Sequence, residues 1–90
     1  MDNIDIRFNF AMCKCRNIIY YMSIEDRPRA TYIHIVRDLR KTFVEILENL
    51  QKDDSRYDTA KTIVSMINPK VRKENCYSTM MEINKIFKFQ

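Results

Sequence analysis

Few side chains in this chain have types that do chemistry: Cys13, Cys15 and Cys76, the single histidine His34, and the adjacent pair Asp53-Asp54. A nucleophilic thiol needs a base or a positive neighbour to hold it as thiolate, and nothing near Cys13 or Cys15 in sequence lowers their pKa strongly. A structural zinc ion needs four ligands. Cys13, Cys15, Cys76 and His34 are the whole supply of thiol and imidazole, at spacings that suit no zinc site. His34 needs a positioned partner to act as a base; within an apolar run it reads as a structural or surface histidine. Asp53-Asp54 follow a helical pattern and precede Ser55, so they read as a solvated loop rather than a carboxylate pair. The chain also lacks glycine altogether. That removes phosphate-cradling loops, the dinucleotide fingerprint and the strand-to-helix nucleophile elbow. We therefore expect no enzyme activity, no metal and no cofactor.

The elements that would position these residues must come from a single domain of 90 residues. A chain of this length buries only roughly 60–65% of its unfolded surface, so pairing with a second copy is an easy route to a larger core. Hydrophobic residues make up 46% of the chain, which argues against disorder. No signal peptide or apolar run of membrane-spanning length is present, and with an odd number of cysteines this suggests reduced thiols inside the cell, nuclear or cytoplasmic. The net charge of +4 is uneven. The excess lies near the C-terminus, where Lys70, Arg72, Lys73, Lys85 and Lys88 outnumber Glu74 and Glu82. These five cations are the candidate phosphate contacts of a nucleic-acid surface, although such clusters are more often solvated faces.

Ile4, Ile6, Phe8 and Phe10 alternate with polar residues, the period of a half-buried strand. Ile4, Phe8, Met12, Cys15 and Ile19 would equally line one side of a helix, but the clean alternation favours strands. Ile18 to Ile24 is β-branched and aromatic and reads as a second strand. A polar break around Pro28 follows, and Thr31 to Val36 reads as a third. Residues 36–52 form the clearest amphipathic helix, with Val36, Leu39, Phe43, Ile46, Leu47 and Leu50 on one side. A second helix is expected over 58–67, capped by Asp58 and stopped by Asn68-Pro69. A short strand fits around Val71 or Cys76-Tyr77. Thr79-x-x-Glu82 has the form of a capping box and sets the start of a last helix. The expected fold is α+β: a small antiparallel sheet with about three helices packed on one face. The core spans 17–89, with residues 1–16 as an extra strand or an N-terminal arm.

Tyr20, Tyr21, Tyr32, Phe8 and Phe10 would form a sheet face. Without a recognisable RNA-binding signature they read as core or interface rather than a base-stacking platform. Ile18, Tyr20 and Met22 would share one face of their strand, with Tyr21 on the other. We take Ile18, Tyr20, Tyr21, Met22 and Tyr32 as the dimer or partner interface.

The order of elements, with Arg27-Pro28, Thr31-Tyr32 and Tyr57-Asp58 at their junctions, resembles the enhancer of rudimentary homologue family over about residues 17–89. The chain departs from that family in its extra residues 1–16, its lack of glycine, the missing tryptophan of the last helix and the short link before that helix. The resemblance implies a homodimer whose sheet faces pack together. It also implies a non-catalytic nuclear adaptor that docks peptide segments of RNA-processing or gene-silencing partners. Two alternatives stand beside it. One is a small basic nucleic-acid-binding protein. The other is a compact helical viral or parasite protein that blocks a host factor through a helical groove.

Overall fold

The computed structural model describes residues 3–24, 32–67, 71–72 and 74–88. Four helices follow one another: α1 (Ile4–Ile24), α2 (Ile33–Asn49), α3 (Ser55–Met66) and α4 (Cys76–Phe87). Among the described residues there is no strand. The expected α+β fold and its antiparallel sheet are therefore corrected to an all-helical one, and sheet-face dimerisation goes with them. Residues 4–10 and 18–24 are two ends of one helix, and Ile33 to Val36 open α2 rather than forming a third strand. Cys76-Tyr77 begin α4 rather than a short strand, and Val71 lies in no strand. The Arg27-Pro28 turn, Thr31 and the Asn68-Pro69 stop lie outside the described residues.

The alternation at the start of the chain misleads for a geometric reason. In a helix, Ile4 and Phe8 stand one turn apart on one side, and Ile6 and Phe10 one turn apart on the other. A helix apolar on two sides thus imitates a period of two. The longer pattern decides: Ala11, Cys15, Ile18, Ile19 and Met22 are buried in line with Ile4 and Phe8, while Ile6 and Phe10 face outward. No glycine or proline interrupts residues 4–24. Asn3 supplies the start, its Oδ1 accepting the Ile6 N–H at 3.3 Å.

The core is arranged around α2. Ile33, Val36, Leu39, Phe43 and Ile46 form its buried stripe, with α1 and α3 packed against it. The fourth helix closes the bundle against α1 and α3 through Cys76, Met80 and Ile83. Phe43 is completely buried, and the Phe8 ring meets it edge-on with centroids 6.5 Å apart.

Helix ends differ from the sequence expectations in detail. Helix α3 is capped by Asp54 rather than Asp58: the Asp54 Oδ1 accepts the Arg56 N–H at 2.9 Å. The Asp54 carboxylate also holds the Arg56 guanidinium, with Oδ2 to Nη2 at 2.6 Å. Arg56 reaches Asp5 on α1 as well and lies 5.8 Å over the Phe8 ring, so one cation joins two helices. Thr79 is an interior residue of α4, whose first turn is Cys76 to Thr79. At the other end Lys88 takes the left-handed conformation (φ 54°) that usually falls to glycine, and its N–H donates to the Asn84 carbonyl at 2.7 Å.

Two expectations follow. Phe43→Ala should remove about 3–5 kcal/mol of stability, the usual range for a buried aromatic cut to alanine, read from urea unfolding. The second concerns Asp54. Hydrogen bonds from the Arg56 side chain and backbone hold its carboxyl down at about 2, below the unfolded value near ~3.9. A carboxyl whose pKa is depressed on folding stabilises above its unfolded pKa, and that contribution disappears as pH falls through the folded pKa. Asp54→Asn keeps a good cap and removes the charge. The variant should melt below wild type at neutral pH, with the gap closing as pH falls toward about 2. A gap that does not change with pH would rule out the charge as its cause.

Candidate protein-interaction surface

The residues with reactive side chains do not converge. His34 is exposed on α2. Asp53 is exposed, and Asp54 is engaged as the cap of α3. Among the described residues no group of His, Cys, Asp or Glu is arranged to hold a metal ion, and no helix is long and apolar enough to cross a membrane. Cys13 and Cys15 do not share a face: on α1 Cys13 is exposed and Cys15 buried. Burial pushes the Cys15 thiol up to about 12, so at neutral pH it stays protonated and packs as a small apolar group.

The described candidate phosphate contacts, Arg72, Lys85 and Lys88, are spread along α4. Arg72 is exposed just before α4, while Lys85 and Lys88 lie at its far end, about 18 Å away along a twelve-residue helix. The Lys85 Nζ stands 3.5 Å from Glu82. Lys70 and Lys73 lie outside the described residues.

The candidate interface set divides. Ile18 and Met22 point into the core. Tyr20 and Tyr21 point out, their rings edge-to-face at 5.6 Å. Tyr32 is buried yet lines a surface trough.

Around the outward tyrosines lies a surface that the sequence reading did not assemble. Ile6, Phe10, Cys13, Asn17, Tyr20 and Ile24 succeed one another at intervals of four, three, four, three and four residues. That spacing keeps them on one side of α1, opposite Cys15, Ile19 and Met22. The side is open to solvent: Ile6 is 64% exposed, Phe10 71% and Ile24 58%. Beside it runs a trough of about 690 Å³. Phe10, Cys13, Asn17 and Tyr21 line it from α1, and Tyr32 and Ile35 from the start of α2. Lys14 also lines it, and Arg16 stands on the other flank of the stripe. Single exposed apolar residues are ordinary, but a continuous stripe with an adjoining apolar trough marks a contact surface. The signal was present in the sequence as the four-three spacing, hidden once residues 4–10 and 18–24 were divided between two strands.

Comparison of the chain with protein-family models, with curated proteins and with solved structures finds no match.

Thiol accessibility tests this placement. In the native protein at low concentration Cys13 should react quickly with a thiol reagent, with Cys15 and Cys76 reacting only on denaturation. Rapid native labelling of Cys15 would put the wrong side of α1 outward.

Proposed function

We propose that this chain is a non-catalytic protein-interaction module that acts inside the cell by taking an amphipathic helix along the outer side of α1. The observation that carries the reading is the second apolar stripe of α1, Ile6 to Ile24, on the side away from the core. A helix laid along it would cover those side chains and reach the trough edged by Tyr32 and Ile35. The receiving surface is already ordered by packing of the opposite side of α1, so binding does not have to fold it. Three cysteines without a disulfide suit a reducing compartment. The nucleic-acid alternative has less support, because Arg72 and Lys88 stand at opposite ends of α4 and Lys85 faces Glu82.

The test is fluorescence anisotropy with designed helical peptides carrying apolar residues at four-three spacing and acidic, neutral or basic flanks. Peptides with acidic or neutral flanks should bind, because Lys14 and Arg16 border the stripe. Phe10→Asp should weaken binding by at least about tenfold, near 1.4 kcal/mol. Ile86→Asp, at an exposed isoleucine of α4, should leave binding unchanged. Absence of binding by every peptide to protein that is monomeric in solution, or equal binding by the Phe10→Asp protein, would overturn the reading.

A further inference from the structure

We infer that the helix received along α1 is the α1 of a second copy of this chain, paired parallel and in register; this rests on the reading of that stripe as a helix-binding surface. Three observations favour a second copy. First, intervals of four and three from Ile6 to Ile24 are the seam spacing of a two-stranded coiled coil, sustained for about 27 Å of helix. Second, the one polar amide of the seam, Asn17, lies within it with apolar or thiol side chains before and after. In hydrocarbon surroundings an asparagine needs a hydrogen-bonding partner. A parallel in-register copy brings Asn17 of the other chain to the same height, the arrangement in which a single seam asparagine fixes register and a two-stranded state.

Third, the flanking charges choose the direction. With Phe10, Asn17 and Ile24 at one set of seam positions and Ile6, Cys13 and Tyr20 at the other, parallel pairing sets Asn9 across from Lys14 and Arg16 across from Tyr21. No like charges oppose one another in these pairs. Antiparallel pairing sets Lys14 against Lys14 and Arg16 against Arg16 across the two-fold axis. Because the seam is opposite the core side of α1, the two bundles lie outside the paired helices and need no rearrangement. Tyr32 and Ile35 would then reach the flank of the partner helix.

Parallel pairing also brings Cys13 level with its counterpart in a seam layer, whereas antiparallel pairing places each Cys13 beside an Asn17, with the sulfurs a turn apart. A disulfide requires Cα atoms about 4.4–6.8 Å apart. Diamide takes two electrons and two protons from a thiol pair, forms the S–S bond and is itself reduced to the hydrazine. Light scattering of wild-type protein across a concentration series should give twice the 10.9 kDa chain mass at micromolar concentration. Diamide should convert that species to a covalent dimer. Cys13→Ser should remain dimeric without the cross-link, and moving the thiol to exposed Lys61 (Cys13→Ser with Lys61→Cys) should not restore it.

Asn17→Lys should weaken association by at least about a hundredfold, with helical circular dichroism retained because Asn17 is exposed in the protomer. Asn17→Leu should tighten association and relax the two-chain limit toward larger species. A monomer at all concentrations that still binds the designed peptides overturns the second copy and leaves the helix-binding reading in place. A monomer that binds none overturns both. A dimer that diamide does not cross-link through Cys13 overturns the parallel pairing.

Discussion

The bundle depends on the burial of one stripe of α2. Ile33, Val36, Leu39, Phe43 and Ile46 cannot reach solvent, so α1 and α3 must cover them and α4 must close what remains. A chain of 90 residues has little to spare for this purpose. Its longest helix, α1, gives one side to the core through Ala11, Cys15, Ile18, Ile19 and Met22. The other side of the same helix is also apolar, and nothing among the described residues covers it. That leftover side, rather than any assembly of reactive groups, is what sets this molecule apart from a bundle with a uniformly polar exterior.

The two ends of α3 and α1 meet through a polar counterpart of this packing. Arg56 joins the cap of α3 at Asp54 to Asp5 and the Phe8 ring of α1, and Phe8 in turn meets Phe43. The first turn of α1 is thereby fixed to the core although Asp5 itself faces water. Fixing that turn also fixes the direction in which Ile6 and Phe10 point. The orientation of the outer stripe is therefore a consequence of the core.

Legibility of the fold varied with how one-sided each helix is. The helix expected over 36–52, observed as Ile33–Asn49, is plain in the sequence because its apolar residues occupy one side and charges the other. Helix α1 was not, because apolar residues on both sides turn Ile4, Ile6, Phe8 and Phe10 into an apparent strand. The capping signals were similarly local. Asp54 was read as part of the loop after α2 when it begins α3, and Thr79-x-x-Glu82 has the form of a helix start inside a helix that starts at Cys76. Asn75 there uses its Oδ1 on the Arg72 N–H, at 2.8 Å, so that end of α4 carries no side-chain cap to be read. Of the interface residues, Tyr20 and Tyr21 were legible as aromatic. Their companions Ile6, Phe10, Asn17 and Ile24 became visible only once one helix joined them. The resemblance to an adaptor family rested on an element order that included a sheet. Among the described residues Tyr32 leads into α2 and Tyr57-Asp58 lie in the first turn of α3, as that order expects, while the sheet is absent.

On the proposed reading, α1 is a helix with two apolar sides, one serving the fold and the other serving contact. Methyl NMR with a soluble paramagnetic probe examines both sides together. In dilute protein the probe should broaden the methyl signals of Ile6, Ile24 and Ile86 and spare those of Ile19 and Ile63. As the protein is concentrated, Ile6 and Ile24 should become protected while Ile86 stays broadened. Equal broadening of Ile6 and Ile24 at every concentration would contradict the contact role of the outer side. Protection of Ile6 in the weakly associating Asn17→Lys protein, together with Ile4 and Ile19, would contradict the helix itself.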